Sequence, residues 1–369
     1  MIIIKELLKK TDYLILLIVI FLIGIGIIGI YSAGYNSEIN KDEYVKQIMY
    51  CVGLIIPMVI VWKVDYNKFN IFAYALYGLS IIALIAVLFT KSKYGASSWF
   101  DFGVFSFQPS EIMKLAYIIC LAKILSEYDS ISVVNKNSKF KYIYIAVLFV
   151  IPFGLILLQP DFGTSIVYFV ITAFMLFVNK IKYKYIIIAM ILIAVIIPIS
   201  YTFFFTDIQK ERINVFLDPT LDPLDSGYNA IQAEIAVGSG MIFGNGFLKG
   251  TQTQLGYLPV KSSDFIFGVL SEEFGFLMSV AIVLLFTLLI IRLIKVAMTT
   301  TDRYAKYIVI GVTAMIFFHF VQNVGMCIGL LPITGVPLPF VSYGGSSLMT
   351  NLIAIALVLN IAARRSDIF

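Results

Sequence analysis

Residues Leu255–Gly275 read LGYLPVKSSDFIFGVLSEEFG, and this stretch decides how the rest of the chain is interpreted. It ends a long polar connection and leads directly into an apolar segment that begins at Phe265, with Asp264 at the join. A carboxylate a few residues deeper in a bilayer would cost about 2–3 kcal/mol or more. Asp264 is therefore either a functional carboxylate or the N-cap of the following helix, a position that Asp favours.

Composition places this segment in a membrane protein. The 369-residue chain is 60% hydrophobic and only 13% charged, and its mean hydropathy is +0.95. Apolar runs of about 20 residues, the length that crosses a hydrocarbon core about 30 Å thick, recur from end to end. Because lipid offers no water to backbone groups, we expect these runs to be helices. The sequence predicts an all-α polytopic membrane protein.

The apolar runs predict ten transmembrane helices. They lie at about Tyr13–Ser32, Lys46–Trp62, Asn70–Thr90, Pro109–Ser126, Tyr142–Leu158, Gly163–Val178, Tyr185–Phe205, Phe265–Ile294, Tyr304–Leu330 and Ser346–Ala362. The eighth run is longer than one crossing needs. A long connection, Thr206–Ser263, separates helices seven and eight, and residues 1–369 are interpreted as a single membrane domain.

The distribution of basic residues predicts the orientation. Lysine and arginine concentrate in one set of alternate loops, at Lys63, Lys68, Lys136, Lys139, Lys141, Lys180, Lys182, Lys184, Arg292, Lys295, Arg303, Lys306, Arg364 and Arg365. Such loops favour the cytoplasmic side. Both termini are therefore predicted to be cytoplasmic, and the long connection is predicted to be extracytoplasmic, as is the loop Leu331–Gly345.

Several classes of chemistry are disfavoured. The chain has one histidine, His319, within an apolar run, which argues against histidine-based metal sites and Ser-His-Asp catalysis. The three cysteines lie in separate apolar runs, so a disulfide framework is not expected. No GxxxxGK[ST] motif is present, which leaves ATP-driven transport without support. Acid–base chemistry falls to carboxylates, lysine or tyrosine.

Two short motifs place ionisable residues where lipid would penalise them. In QPSEIMK, Glu111 and Lys114 are three residues apart and share one face of a helix, which predicts an ion pair. That pair is either purely structural or kept for function. In QPDFGTS, Asp161 is either the cap of a helix after an outer turn or a second carboxylate of an outer cavity.

Two outer segments are candidates for binding an anion. In the long connection, Arg212 is the best anion-binding residue, and the glycines of Gly238–Gly250 permit close approach to a ligand, although an ordinary surface loop would look similar. The uncharged segment Leu331–Ser347 is non-helical backbone that survives at membrane depth only inside protein or along a cavity. Its backbone N–H groups form a candidate anion cradle at Ser342, Gly344, Gly345 and Ser346.

Taken together, four motifs resemble the SEDS family of bacterial cell-wall synthesis, the RodA, FtsW and SpoVE membrane proteins. They occur in order as FQPSEIMK (Phe107–Lys114), QPDFGTS (Gln159–Ser165), SDFIFGVLSEEFG (Ser263–Gly275) and LPITGVPLPFVSYGGSS (Leu331–Ser347). The segment that begins Asn323-Val324-Gly325-Met326 is more similar to RodA than to FtsW.

The resemblance implies a peptidoglycan glycosyltransferase that polymerises lipid II at the outer face of the bacterial cytoplasmic membrane, in cell-wall elongation and shape maintenance. It implies an essential acidic role for Asp264, a supporting ion pair at Glu111 and Lys114, and further roles for Asp161 and Arg212. The partners it implies are lipid II, undecaprenyl-linked glycan and a class B penicillin-binding protein with transpeptidase activity, with no nucleic acid. A divalent cation, Mg²⁺ or Mn²⁺, is expected, but no organic cofactor, and Asp264 is either the catalytic base or a ligand of the cation.

The chain departs from the family pattern at two places. Relatives often have Glu where this chain has Val260, and His-Thr where it has Ser262-Ser263; many have Arg where Ser98 precedes Trp99. These changes affect contacts near the donor substrate and leave Asp264 in place. Two other functions stay open: a flippase for lipid-linked oligosaccharide, and a non-catalytic scaffold for a penicillin-binding protein.

Overall fold

This computed structural model describes residues 10–37, 40–90, 98–101, 103, 106–131, 139–178, 210, 214–216, 218, 222 and 226–365. Within these ranges the chain is mainly helical. The helices are α1 (Tyr13–Gly34), α2 (Glu43–Lys63), α3 (Tyr66–Val87), α4 (Pro109–Ile131), α5 (Lys139–Leu157), α6 (Phe162–Val178), α7 (Ser226–Ser239), α8 (Thr251–Gln254), α9 (Ile266–Thr299), α10 (Arg303–Cys327) and α11 (Gly345–Arg364). A short antiparallel hairpin, β1 (Phe100–Asp101) and β2 (Ser106–Phe107), precedes α4.

The helices form a membrane-embedded bundle, as predicted. Among the described residues, α1, α2, α3, α9, α10 and α11 are each long and apolar enough to cross a bilayer, and α6 and the apolar part of α5 are shorter apolar helices. Helices α1–α6 and α9–α11 coincide with nine predicted spans. The seventh, Tyr185–Phe205, lies outside the described residues, so the count of ten stays a prediction.

Helices α4, α10 and α11 form the interior of the bundle. Most of their side chains are buried, whereas α2 and α3 expose large apolar side chains such as Ile56 and Ile71 on the surface that faces lipid. The interior position of α4 explains how it carries charged residues at membrane depth: protein groups, not hydrocarbon, surround them.

Helix α9 is broken near its start. Gly275 has φ 76° and ψ −167°, and residues 266–274 and 276–299 form two helical pieces on either side of it. The first piece, which we call the half-helix (residues 266–274), is almost wholly buried, and Phe276 and Leu277 after it are exposed. Ser279 Oγ lies 2.9 Å from Ser271 Oγ, so the chain bends sharply at the break. This bend explains why the eighth run is longer than one crossing needs.

The glycine-rich segment Gly238–Gly250 satisfies the backbone groups opened by this break. Added Cβ atoms on Gly240 and Gly275 would lie 1.9 Å from Ser271 O and 2.3 Å from Gly244 N, so only glycine fits there. The hydrogen bonds run from Asn245 N to Glu272 O (3.0 Å), Gly246 N to Glu273 O (3.0 Å), Phe276 N to Met241 O (2.8 Å) and Leu277 N to Ile242 O (3.3 Å). These glycines therefore allow the segment to approach the chain's own backbone closely. A broken helix in a membrane protein requires this, because its freed backbone groups must find hydrogen-bond partners within the protein.

Candidate active site

Asp264 lies in a turn directly before the half-helix. The backbone N–H groups of Ser263, Asp264 and Phe265 all point to the carbonyl of Val260, at 3.2, 3.1 and 3.4 Å. The N-cap of α9 is Phe265, without a side-chain cap. The alternative that Asp264 is the N-cap of this helix is therefore wrong.

The main chain of Asp264 is held by Asn323 of α10. The Nδ2 of Asn323 donates to Asp264 O at 2.8 Å and to Val336 O at 2.9 Å, so one buried amide joins the Asp264 turn to the loop before α11. The Asp264 side chain is partly exposed; Oδ1 accepts from Ser263 Oγ at 3.0 Å, and a Cβ on Gly335 would lie 3.4 Å from Oδ2. The carboxylate thus faces the inside of the loop.

The loop Leu331–Gly345 packs against the Asp264 turn inside the bundle. Tyr343 N donates to Ser262 O at 2.9 Å, and Ser342 Oγ donates to Ser263 O at 2.5 Å while accepting from Leu338 N at 2.8 Å. The apolar residues around these bonds, such as Phe340, are buried. The two non-helical segments thus satisfy each other's polar groups, as backbone at membrane depth requires.

The predicted anion cradle is partly occupied by these internal bonds. Ser342 uses its hydroxyl as described, Gly344 N donates to Gln47 Oε1 at 3.3 Å, and Ser346 Oγ accepts from Gln108 N at 3.2 Å. Gly345 lies against the ring of Tyr50. The N-cap of α11 is Gly344, which has no side chain to cap the helix. The first-turn N–H groups of α11 are therefore the part of the cradle best suited to an anion.

The predicted ion pair of Glu111 and Lys114 is formed and is buried. Lys114 Nζ lies 2.8 Å from Glu111 Oε1 and 3.0 Å from His319 Nε2. His319 Nδ1 lies 2.7 Å from Met315 O, which assigns the ring proton to Nδ1 and makes Nε2 the acceptor for the ammonium group. Glu111 Oε2 is buried without a hydrogen-bond partner among the described residues. Sequence reasoning set His319 aside, and the structure places it beside the pair.

Asp161 lies in the turn before α6, where one of its two alternatives predicts a helix cap. Its Oδ1 accepts from Thr164 N at 3.1 Å, which caps α6, and its Oδ2 accepts from Gln108 Nε2 at 3.0 Å, next to the start of α4. Burial raises the pKa of Asp161, while bonds from Thr164 and the charge of Lys114 act in the opposite direction. Asp161 is thus a cap that also contacts the segment carrying the ion pair.

Other predicted features are placed as follows. Arg212 lies outside the described residues. Ser262, at one departure from the family pattern, lies beside the carboxylate of Glu43, and Ser98, at the other, donates to Gln159 O at 3.4 Å. Among the residues that the structure describes, no group of three or more His, Cys, Asp and Glu side chains is arranged to hold a metal ion.

Comparison with known proteins identifies the family. A model described as "Cell cycle protein", which represents FtsW, RodA and SpoVE, matches residues 12–367. The chain belongs to this family. It is 36% identical to the peptidoglycan glycosyltransferase MrdB of Escherichia coli K12, over 96% of this chain and 94% of the relative. It is 34% identical to the peptidoglycan glycosyltransferase RodA of Treponema pallidum, over 96% and 98%.

Solved structures share the fold over almost the whole chain. A chain from a structure described as "Structural coordination of polymerization and crosslinking by a peptidoglycan synthase complex" aligns with a TM-score of 0.82 and 27% identity, over 97% of this chain and 99% of that one. The crystal structure of the rod shape determining protein RodA of Thermus thermophilus aligns with a TM-score of 0.71 and 25% identity, over 97% and 98%. The architecture of this family member is thus that of a RodA-type membrane protein.

Three polar residues to which the sequence analysis gave no role in the site hold it together: Asn323, His319 and Gln47. Each is buried within an apolar helix, and each bonds to a residue far away in the chain. The available signal was an isolated polar residue inside an otherwise apolar span, which is costly in a membrane unless it has a partner.

Proposed function

We propose that this protein is a peptidoglycan glycosyltransferase that polymerises lipid II at the outer face of the bacterial cytoplasmic membrane, in cell-wall elongation. The observation that carries the proposal is the Asp264 carboxylate, partly exposed in a turn that is otherwise enclosed by the half-helix, α10 and the loop before α11. A family member with an accessible carboxylate inside its bundle has the group that glycosyl transfer requires.

In the reaction, a hydroxyl of the acceptor sugar attacks the anomeric carbon of a lipid-linked glycan. The new glycosidic bond forms as the bond from that carbon to the pyrophosphate breaks, and undecaprenyl pyrophosphate departs. The hydroxyl loses its proton, and a carboxylate is a suitable general base for an oxocarbenium-like transition state. We assign this base to Asp264, with Ser263 Oγ at 3.0 Å holding one of its oxygens.

The departing pyrophosphate needs positive charge or N–H donors. The amino end of α11 offers N–H groups and the positive end of a helix dipole. Lys114, together with Arg212, is a candidate for added charge. Asp161 accepts a hydrogen bond from Gln108, which directly precedes α4, the helix that carries the ion pair.

A divalent cation, Mg²⁺ or Mn²⁺, fits this site only if the substrate contributes ligands. Mg²⁺ is commonly held by one or two carboxylates together with substrate phosphates and water. Asp264 would be the ligand from the protein, since no larger cluster of ligand side chains occurs in the described ranges. When bound, the cation would neutralise charge on the pyrophosphate.

The proposal extends to the topology and the partner. Both termini are cytoplasmic, and a class B penicillin-binding protein, which cross-links the glycan, is the partner. Lysine and arginine in alternate loops support the orientation, and the similarity to a chain of a peptidoglycan synthase complex supports the partner.

The test is polymerisation of purified lipid II by the protein with its candidate transpeptidase, in Mg²⁺ or Mn²⁺, for the wild type and Asp264→Ala. The control is Glu127→Gln, which removes an exposed acidic charge of α4 that lies 4.0 Å from Lys123. We expect the wild type and the control to make glycan, and Asp264→Ala to be inactive although folded and bound to its partner. An active Asp264→Ala would remove this residue from the chemistry.

An inert wild type, well folded and paired, would overturn the proposal in favour of one of its alternatives. A flippase would translocate lipid II in vesicles and lose that ability in Asp264→Ala. A scaffold would bind the transpeptidase and do neither.

A further inference from the structure

Helix α2 reaches the site through a single buried residue. Of the side chains from Glu43 to Lys63, only Gln47 is buried, and the others are exposed or partly exposed on a helix that faces lipid. Burying an amide without hydrogen bonds costs at least about 1–3 kcal/mol. A lone buried glutamine on such a helix therefore indicates a specific contact.

Both ends of the Gln47 amide bond to the backbone of the loop before α11. Its Nε2 donates to Ser342 O at 3.1 Å, and its Oε1 accepts from Gly344 N at 3.3 Å. One partner is an acceptor and the other a donor, so the orientation of the amide is determined. The amide bridges the residues on either side of Tyr343, which itself donates to Ser262 O.

Two neighbours of Gln47 on the same face of α2 contact the same two segments. Glu43, one turn before, lies beside Ser262, and Tyr50, one turn after, packs on Gly345. Residues four and three apart lie on one helical face. The outer end of α2 thus contacts both the Asp264 turn and the amino end of α11, and Gln47 is the buried residue at its centre.

We infer that Gln47 is a positioning residue for the glycosyl transfer: it fixes the register of Ser342–Gly344 against the Asp264 turn and so sets the distance from the Asp264 carboxylate to the amino end of α11. This inference rests on the proposed function. Gln47 acts through these two segments and does not touch the reacting atoms. A misplacement of about 1 Å between reacting groups is enough to lower a rate about 100-fold.

The test compares Gln47→Leu and Gln47→Glu with Asn360→Leu. Asn360 is a buried amide in the same pair of helices, and at the opposite end of α2 its Nδ2 donates to the carbonyls of Val61, Trp62 and Val64. Glutamate keeps the size and the acceptor for Gly344 but not the donor for Ser342. Lipid II polymerisation is measured as kcat and KM per folded protein, alongside Tm and transpeptidase binding.

We expect Gln47→Leu to lower kcat about 10- to 100-fold, with a smaller change in KM and with partner binding retained. Gln47→Glu should lose less, and Asn360→Leu should lower Tm but keep kcat. Gln47→Leu and Gln47→Glu with wild-type kcat would overturn the inference, as would a fall in Tm alone like that of Asn360→Leu. If Gln47→Leu does not fold, the kcat of Gln47→Glu decides in the same way. An inert wild type would instead overturn the proposed function, and the inference with it.

Discussion

The two ends of the half-helix each carry carboxylates, and they differ in what surrounds them. At the far end, Glu272 is fully buried, and its oxygens accept from Gln252 N at 2.7 Å, Thr253 N at 3.0 Å and Thr253 Oγ1 at 2.7 Å. At the near end, Asp264 is partly exposed, and its carboxylate lies close to Gly335 in the loop before α11. In one motif, SDFIFGVLSEEFG, a carboxylate that is bonded within the protein is thus separated from a partly exposed one, to which we assign the role of catalytic base.

The far end is a polar cluster built around the short helix α8. Glu272 bonds its first N–H groups, and Lys261 Nζ donates to Thr253 O at 2.7 Å near its end. Burial lowers the pKa of Lys261, and the charges of Glu272 and Glu273 oppose that effect. Glu273 accepts from Ser32 Oγ and from Gln254 Nε2 at 3.0 Å. These contacts join the outer connection to α1 and α9.

The largest expected effect is on activity, at the near end. In Asp264→Asn the volume and the backbone bond from Asn323 are kept, but the proposed base is lost. We expect lipid II polymerisation to fall at least about 100-fold, the usual contribution of a general base, with Tm almost unchanged. Measured rates and melting curves of the same samples check this. A large fall in Tm would show that Asp264, like Glu272, stabilises the folded protein, and the contrast between the two ends would then be wrong.

Next is Gly275→Ala, at the break that separates the two ends. The positive φ and the contact with Gly244 N make a side chain at this position both strained and sterically blocked. We expect a loss of about 3 kcal/mol or more in unfolding free energy, seen as a lower Tm in detergent. Gly78→Ala is the matched control, because nothing lies within 4 Å of an added Cβ at this helical glycine. Equal Tm values for both variants would contradict the description of the break.

Glu272→Gln reverses the expectation for Asp264→Asn. An amide NH₂ would face donors from Gln252 or Thr253, and the unsatisfied groups would cost about 1–3 kcal/mol. Tm should fall, while the rate per folded protein should stay close to that of the wild type, since Glu272 lies at the other end of the half-helix from Asp264. Loss of activity without loss of stability would show that the far end belongs to the catalytic site as well.

The smallest expected effect is on the pH dependence of stability. It concerns Asp161, a third carboxylate, which can be compared with the two at the ends of the half-helix. Because burial raises the pKa of this carboxyl in the folded protein, its ionised form is disfavoured there. Wild-type stability should therefore rise as the pH falls through the folded pKa. Asp161→Asn keeps the acceptor for Thr164 N, and the Gln108 amide, which now donates to Oδ2, can turn to offer its oxygen to the new NH₂. The variant should therefore raise Tm at neutral pH by an amount worth less than about 1 kcal/mol. The gain should shrink towards pH 4; a gain that grows on acidification would contradict the sign.

Much of this architecture was predictable because lipid constrains sequence strongly. Long apolar runs indicated the helices, and residues three apart indicated the pair of Glu111 and Lys114. The break at Gly275 was not predicted, because its cause is a contact with Gly238–Gly250 and not a local pattern. The roles of Asn323, His319 and Gln47 were missed for the same reason. Gln47 bonds to a carbonyl 295 positions further along the chain, and the hydrophobic periodicity of the sequence does not indicate so distant a partner.

The two ends of the half-helix also differ in the order in which a growing chain can complete them. Glu272 meets partners 19 and 20 residues earlier in the sequence. Asp264 is held by Asn323, 59 residues later, and its turn by Ser342, 79 residues after Ser263. Local contacts form before distant ones. The supporting cluster can therefore assemble as soon as α9 has been synthesised, whereas the Asp264 turn reaches its final geometry only when the last helices have joined, so an unfinished chain in the membrane lacks the candidate site.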